Sequence, residues 1–174
     1  MAISDLNALL TIALNGFVKN DQDAPGLQKI NTTFADAYSY GTGANKANGI
    51  FAERLDIAGL GTTDTYDLGG TGSGTVTPLI DGVAHNWNSI STIVLCNHGT
   101  LTTQTLSVYG NFLVSGSSQV FLGAGFLNLK AGCTFLWSDA ILPADVNNTT
   151  RRILSIGGAT AATSYSMILI GELT

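Results

Sequence analysis

The chain has 174 residues, of which 45% are apolar and only 11% are charged, and its net charge is −5. This length predicts one domain, or one domain with an arm, that can bury a sizeable core. The lack of a basic patch excludes a typical nucleic-acid-binding protein, because phosphate contacts supply most of the non-specific affinity of such proteins.

Charge is distributed unevenly along the sequence. Residues 1–81 contain nine acidic and four basic residues, a balance of −5, whereas residues 82–174 contain three of each. No Asp, Glu, Lys or Arg occurs in the 48 residues from Gly82 to Leu129. Polar residues interrupt this stretch long before the roughly 20 apolar residues of a membrane-spanning helix. We therefore expect a β-protein whose polar positions are neutral, and no membrane partner.

Residues 3–18 have apolar side chains at spacings of three and four, which predicts an amphipathic helix. A helix of this length is marginal alone in water, so we expect it to pack on its own domain or on a neighbouring copy. We assign residues 1–40 to an N-terminal helix and arm. The candidate assembly or interface residues are Leu6, Leu10, Leu14 and Phe17.

Residues 27–57 fit either a helix or a strand at first, and a strand from Ile50 to Ile57 is the clearest feature. The segment GTGANKA at 41–47 invites comparison with a phosphate-binding loop. Such a loop needs four residues between its first glycine and a Gly-Lys-Ser/Thr end, and this spacing is absent. We predict a turn instead.

From Trp87 onward the sequence predicts only strands, separated by glycine-rich turns. Such short strands at a spacing of about ten residues are typical of β-sandwiches, and eight of them suit a jelly roll. We predict a mainly β chain, with an antiparallel, jelly-roll-like β-sandwich over residues 41–174. The strands expected from Trp87 onward are 90–97, 106–108, 112–114, 120–122, 126–129, 133–137, 152–156 and 165–170.

Cys96 and His98 lie two residues apart in a predicted strand and therefore face the same side. This spacing allows a thiol–imidazole dyad, but a nucleophilic cysteine normally needs a positive charge nearby, and none is close in the sequence. We expect a structural Cys96 and a His98 at the end of the strand. Cys96 and Cys133 are expected to be buried free thiols, with a disulfide left open.

Metal binding has little support in the sequence. His85 and His98 are the only histidines, and no local motif supplies a tetrahedral zinc site. Asp64, Asp67 and Asp81 lie among Gly and Thr and could bind calcium, but they lack the dense spacing of a calcium loop. We expect no metal site and no cofactor.

Catalysis also has little support, and we expect no catalytic residues. Asp56 with Asp139 or Asp145 could form a glycosidase pair, yet nothing in the sequence brings these residues together. Aromatic residues could instead form a sugar-binding platform, although aromatic residues in strands more often belong to a core. The residues in question are Trp87, Tyr109, Phe112, Phe121, Phe126, Phe135 and Trp137.

Six spaced motifs between residues 41 and 172 resemble those of small structural proteins of tailed-bacteriophage virions. They are GTGANKA at 41–47, FAERLDIAG at 51–59, TDTYDLGG at 63–70, ISTIVLCN at 90–97, AGCTFLW at 131–137 and YSMILIGE at 165–172. The chain departs from the pattern at 70–76 and 139–151. The resemblance implies a β-sandwich capsid decoration or cement protein, and it implies no catalysis.

Three functions follow as expectations. The first is a virion protein, a homotrimer on the capsid surface that binds the major capsid protein and stabilises the head shell. The second is a carbohydrate-binding or receptor-binding β-sandwich module of a phage fibre or tail. The third is a hydrolase on a jelly-roll scaffold, which the fold allows but no constellation of residues supports.

Overall fold

The computed structural model describes residues 7–20, 26–59, 61–69, 86–110, 114–115, 118–119, 127–139, 143–146, 153–158 and 161–174. These residues are mainly in strands, and no helix occurs among them. The strands in chain order are β1 Asn7–Asn20, β2 Gly26–Tyr40, β3 Lys46–Ala47, β4 Gly49–Ile57, β5 Thr63–Asp67, β6 Trp87–Asn97, β7 Leu106–Gly110, β8 Val114–Ser115, β9 Ser118–Gln119, β10 Leu127–Leu129, β11 Thr134–Ser138, β12 Ala144–Asp145, β13 Ile153–Gly158 and β14 Thr163–Leu173.

Two antiparallel sheets make up the body of the protein. The five-strand sheet has the order β11-β6-β14-β4, and β12 pairs with β6 beside this path. The four-strand sheet has the order β10-β7-β13-β5. A third sheet joins β1, β2 and β3, with β2 and β3 parallel, and β8 pairs with β9. The mainly β, antiparallel prediction is confirmed.

One hydrophobic core contains residues from both sheets. Tyr165, Met167 and Leu169 alternate with less buried residues along β14, while Leu154 and Ile156 contribute from β13 of the other sheet. Alternation with period two places such residues on one face of a strand. Complete burial of a large apolar side chain stabilises the fold by about 1.5–3 kcal/mol, so this shared core holds the two sheets together.

Strand β6 departs from simple alternation because its register against β14 shifts twice. Each shift leaves one extra residue on β6, first Ser91 and then Asn88. An extra residue moves the following side chain to the other face of the strand. Trp87, Ile90 and Ile93 therefore all reach the same core although they are three residues apart.

The helix predicted for residues 3–18 is wrong over its described part, because residues 7–20 form β1. This strand pairs with β2 from Asn7↔Ser39 to Asn20↔Gly26. The sequence also alternates with period two here, and pairing with β2 satisfies the backbone groups that a helix would satisfy internally. Tertiary pairing therefore overrides the helical pattern. Residues 3–6 lie outside the described residues.

Most of the other predicted strands have counterparts in the structure. The strand predicted at Ile50–Ile57 is β4, and the one predicted at 90–97 is β6, which begins three residues earlier. The ambiguous segment at 27–57 contains β2, β3 and β4. The strand predicted at 120–122 lies outside the described residues. The predicted boundary between residues 40 and 41 coincides with the end of β2, and the division into two parts stays a prediction.

Candidate functional site

The predicted interface residues lie on an arm, which we define as the β1–β2 ribbon of residues 7–20 and 26–40. The register pairs Leu10 with Asp36, Leu14 with Thr32, and Phe17 with Lys29. Because alternate residues share a face, positions 10 and 14 lie on one face of the ribbon and position 17 on the other. In a helix these positions would share one face, whereas the strand register divides them. Their role as interface residues stays a prediction. Leu6 lies outside the described residues.

The base of the arm is fixed to the body at Tyr38, which is 1% exposed. Its hydroxyl is 2.7 Å from Thr92 Oγ1 and 2.9 Å from Ser138 Oγ, and these two hydroxyls are 2.9 Å from each other. The Tyr38 ring packs with Ala47 and Ile170. Three hydroxyl groups from β2, β6 and β11 thus join the arm to the five-strand sheet.

The first five residues of the segment GTGANKA form the predicted turn between β2 and β3, and the last two form β3. This loop holds the arm from a second side. Gly41, Gly43 and Asn45 have positive φ angles of 135°, 100° and 57°, a region that glycine and asparagine tolerate best. The backbone N–H of Gly43 donates to the Glu172 carboxylate, whose other oxygen accepts from Asn88 Nδ2 at 3.3 Å. We call this arrangement the clasp.

The outer face of the five-strand sheet has an apolar row across its middle. The register aligns Ile168 of β14 with Ala52 on one side and with Val94 on the other, and Val94 with Leu136. Ile168, Val94 and Leu136 are half-buried. Next to this row, the face carries neutral polar residues from β14, β6 and β11, namely Ser166, Cys96 and Thr134. We call Ala52, Ile168, Val94 and Leu136 the outer apolar row.

The thiol–imidazole pair considered from the sequence is present on this outer face. Cys96 Sγ is 4.0 Å from His98 Nδ1, and His98 Nε2 is 2.7 Å from Ser166 Oγ. Ser166 and Cys96 are register partners across β14 and β6. Cys96 and Cys133 are both free, as expected, but neither is buried: Cys96 is half-buried and Cys133 is exposed.

A polar cluster lies between the two sheets. Tyr66 and Tyr165 are 1% and 0% exposed, and their hydroxyl oxygens are 2.5 Å apart. Tyr165 also donates to Asp64 Oδ2 at 2.7 Å. Burial raises the pKa of Tyr66 from its ordinary value of 10.0 to about 12. Burial, together with the Tyr66 hydroxyl, also raises the pKa of Tyr165, so both hydroxyls stay protonated at neutral pH.

The candidate calcium ligands have structural partners in the chain. Asp64 accepts the Tyr165 hydroxyl, and Asp67 accepts the backbone N–H of Gly69 at 3.0 Å. Asp81 lies outside the described residues. In the described part of the chain, no three His, Cys, Asp or Glu side chains are grouped to hold a metal ion. No helix in that part is long and apolar enough to cross a membrane.

The candidate glycosidase carboxylates lie on different strands. Asp56 lies on β4, at the edge of the five-strand sheet, and is paired with Ser164 of β14. Asp145 lies on β12 and is paired with Ser89 of β6. β6 and β14 lie between these strands. Asp139 follows β11, and its backbone N–H donates to the Ser91 carbonyl at 2.9 Å. The strand order therefore separates Asp56 from Asp145.

The aromatic residues belong mainly to the core, as expected. Trp87 is 3% exposed, and Phe135 and Trp137 pack against the same core. Tyr109 is 42% exposed on the four-strand sheet. Phe112, Phe121 and Phe126 lie outside the described residues. Among the described aromatic residues that could form a sugar platform, Tyr109 is therefore the one with an exposed ring.

Sequence reasoning missed Asn97, which is fully buried. Its Nδ2 donates to the Gln104 and Leu129 carbonyls at 2.7 and 2.9 Å, while its Oδ1 accepts from Gly99 N–H and from Thr163 Oγ1. These bonds fix the loop after β6 to two neighbouring strands. The available signal was the Asn at a strand end followed two residues later by Gly, a spacing that permits this local bond.

Comparison of the sequence with known protein families and with curated protein sequences gave no match.

Proposed function

We propose that this protein is a structural subunit of a tailed-bacteriophage virion, a capsid decoration or cement protein that forms a homotrimer and binds the major capsid protein at the capsid surface. It stabilises the head shell through its contacts and performs no catalysis. The observation that carries the proposal is the long arm, the β1–β2 ribbon, which accompanies a two-sheet body whose strand order is compatible with a jelly roll.

The strand order supports the jelly-roll part of the proposal. The eight principal strands, β4, β5, β6, β7, β10, β11, β13 and β14, can be numbered 1 to 8 in chain order. Their sheets then have the orders 1-8-3-6 and 2-7-4-5. A double-sheet jelly roll contains eight strands in two Greek keys, and the architecture recurs in viral capsid proteins and lectins. Fold alone does not assign function, so the surfaces must carry the rest.

The arm supplies the first of these surfaces. Its fourteen paired residues span about 46 Å at roughly 3.3 Å per residue, which is longer than any strand of the body. Among the described strands, β1 and β3 are the ones that pack extensively along β2. A two-stranded ribbon is marginally stable by itself. The arm therefore gains most by packing on another subunit.

Ribbon geometry selects the face of the arm that would bind. Positions 10, 12 and 14 share a face with position 38, and Tyr38 packs toward the five-strand sheet. Leu10, Ile12 and Leu14 are all apolar in sequence. One face of such a ribbon, at about 10 Å wide, buries roughly 900 Å² counted over both partners, below the ~1,200 Å² of a standard specific interface. The arm thus needs a second contact surface.

The outer face of the five-strand sheet supplies that second surface. The outer apolar row is flanked on β14, β6 and β11 by uncharged residues. Neutral hydroxyl and amide groups cost less to desolvate than charges do when an interface forms. The exposed charges of this face, Arg54 and Asp56, lie on the edge strand β4, so symmetric copies that meet over β14, β6 and β11 place no like charges opposite each other.

Deletion of residues 1–37 tests the proposal, because Tyr38 and the clasp stay in place. We expect the truncated protein to keep its strand content by circular dichroism but to lose the trimer in sedimentation velocity and to bind capsid shells weakly. Tyr109→Ala, at an exposed residue of the four-strand sheet, is the matched control, and we expect it to remain folded and trimeric. A full-length chain that is monomeric and does not bind shells would overturn the function.

The alternative is a carbohydrate-binding or receptor-binding module of a fibre or tail. Jelly rolls also occur in lectins, and Tyr109 is the exposed aromatic residue available for stacking. The burial of Trp87 and the packing of Phe135 and Trp137 on the core leave this alternative with less support. Glycan-array binding abolished by Tyr109→Ala would favour it over the virion role.

A further inference from the structure

Cys96, His98 and Ser166 form a chain of three polar side chains on the outer face of the five-strand sheet. The His98 ring lies between the other two, with Nδ1 4.0 Å from Cys96 Sγ and Nε2 2.7 Å from Ser166 Oγ. All three residues are half-buried, so the site is partly open to solvent in the single subunit. The proposed assembly would cover this face, so the reactivity proposed below belongs to the unassembled subunit.

We propose that Cys96 is a nucleophilic thiol that transfers its proton to His98, and that the site reacts with small neutral disulfides by thiol–disulfide exchange. Ser166 is a positioning residue in this proposal. In a neutral imidazole one ring nitrogen donates and the other accepts. When His98 Nε2–H donates to Ser166 Oγ, the lone pair of Nδ1 points to the Cys96 thiol. That tautomer lets His98 accept the thiol proton.

The reaction balances without a further redox partner. Cys96 Sγ attacks one sulfur of the disulfide, a new S–S bond forms, and the old S–S bond breaks. The electron pair of the old bond leaves with the second sulfur as a thiolate. The proton that His98 Nδ1 received from Cys96 then passes to this thiolate. The products are a mixed disulfide on Cys96 and one free small thiol.

The charged groups of this face lie on β4, one strand beyond Ser166. Arg54 is the register partner of Ser166, and its guanidinium donates to Ser164 Oγ at 2.9 Å. The register neighbours of Cys96 are Ser166 and Thr134, which carry no charge, while Asp56 lies opposite Ser164. A neutral disulfide avoids electrostatic bias from either charged residue.

Cys133 is a control thiol within the same chain. It is exposed whereas Cys96 is half-buried, so accessibility alone predicts that Cys133 reacts faster. Among the described residues, no imidazole lies within hydrogen-bonding distance of the Cys133 thiol. If Cys96 reacts faster than Cys133, the order of the two rates is opposite to the one that exposure predicts, and this would indicate proton transfer to His98.

The experiment uses the chain diluted until sedimentation velocity shows a monomer, with 2,2′-dithiodipyridine at neutral pH and release of the thiopyridone followed by absorbance. With less than one equivalent of probe and peptide mass mapping, we expect the label mainly on Cys96. In single-thiol variants, Cys96 in a Cys133→Ser chain should react at least about tenfold faster than Cys133 in a Cys96→Ser chain, since general-base catalysis typically gives 10²–10⁴-fold.

Variants of the other two residues separate proton transfer from a structural effect. We expect His98→Gln to slow Cys96 at least about tenfold while the rate of Cys133 stays unchanged. Ser166→Ala should slow Cys96, and Ser166→Thr, which retains a hydroxyl group, should restore the rate. Faster labelling of Cys133 in the unmodified chain, or an unchanged rate in a folded His98→Gln variant, would overturn the proposal.

Discussion

Two tyrosine hydroxyls connect the sheets inside the core. Tyr66 belongs to β5 and Tyr165 to β14, and Tyr165 donates its proton to Asp64. Tyr66 must then donate to Tyr165 for each hydroxyl proton to be used, because a hydroxyl has one proton. Removal of the Tyr165 hydroxyl takes a hydrogen-bond partner from both Asp64 and Tyr66, whereas removal of the Tyr66 hydroxyl takes one only from Tyr165.

The buried tyrosines predict a loss of stability at alkaline pH. In the unfolded chain a tyrosine loses its proton near pH 10.0, whereas folding raises the pKa of Tyr66 to about 12. Between these values the unfolded state binds fewer protons, so the free energy of unfolding decreases as pH rises. The contribution is complete below pH 10.0. Urea titrations on either side of this pH should show the decrease.

The matched control for this prediction is the Tyr66→Phe/Tyr165→Phe double variant. It removes both titrating groups and retains the two rings, so we expect lower stability at neutral pH but a smaller decrease at alkaline pH. An equal decrease in the double variant would assign the effect to other groups.

Gly171 of β14 lies beside the register shift of β6, where there is no room for a larger residue. A Cβ added to Gly171 would lie 2.1 Å from the Ser89 carbonyl oxygen and 2.9 Å from Ile90 Cα. Both are backbone atoms and cannot move aside as a side chain does. We expect Gly171→Ala to lower the free energy of unfolding by about 3 kcal/mol, in the range of strongly disruptive substitutions.

Gly157→Ala is the matched control, because Gly157 is also a buried strand glycine. Its added Cβ would meet its nearest neighbours at 3.5–4.0 Å, which is ordinary van der Waals contact. We expect a change of less than about 1 kcal/mol there. Equal losses in the two variants, measured by urea denaturation, would contradict the role given to the close contact at Gly171.

At the scale of the element, the arm shows why periodicity alone was insufficient. Leu10 and Leu14 are four residues apart, a spacing that puts them on one face of either a helix or a strand. Phe17 and Ile12 distinguish a helix from a strand. In a helix Phe17 would share the face of Leu10 and Leu14, whereas in a strand Ile12 shares that face. The preference for a strand comes from pairing with β2, which is a property of the folded chain rather than of this segment.

Charge substitutions on the arm should therefore separate its two faces. Ile12 shares a face with Leu10 and Leu14, while position 17 lies on the opposite face. We expect Ile12→Asp to shift the assembly to monomer in sedimentation velocity and Phe17→Asp to leave it largely unchanged. A buried unpaired charge is costly, whereas an exposed one is not. The opposite ranking would support a helical arm.

The candidate reactive site illustrates what a sequence can and cannot supply. Strand periodicity correctly predicted that Cys96 and His98 face the same side. Ser166 could not be found in this way, because it lies 68 residues from His98 in sequence and reaches it through the register of β14 against β6. The same limit applies to Tyr66 and Tyr165, whose contact requires the packing of two sheets.

At the scale of the whole molecule, the neutral stretch from Gly82 to Leu129 contributes to both sheets. It contains β6 and β7, and β6 is an inner strand of the five-strand sheet. The positions of β6 and β7 could be predicted from their apolar residues and the glycine-rich turns around them. Their order could not, because pairing partners are chosen by packing between distant segments.

The few charges on the proposed contact surfaces predict an assembly that responds weakly to salt. Screening weakens attraction between exposed charges, and the Debye length falls from about 10 Å at 0.1 M to about 3 Å at 1 M. The outer apolar row carries no charge, Arg54 and Asp56 lie to its side on β4, and Asp36 is paired with Leu10 on the arm. We expect the dissociation constant of the proposed trimer to change less than about threefold over this range of salt, as measured by sedimentation equilibrium. A tenfold weakening would indicate a charged interface.

The clasp makes the loop between β2 and β3 depend on a strand far away in sequence. Glu172, in the last strand described, accepts the backbone N–H of Gly43 in the loop that follows the arm. Gly43 and Glu172 are 129 residues apart in sequence, so the clasp can form only after β14 has paired with β4 and β6. A folding intermediate that lacks β14 can make the Tyr38 contacts with β6 and β11 but not the clasp. The loop after the arm is therefore fixed only when β14 joins its sheet.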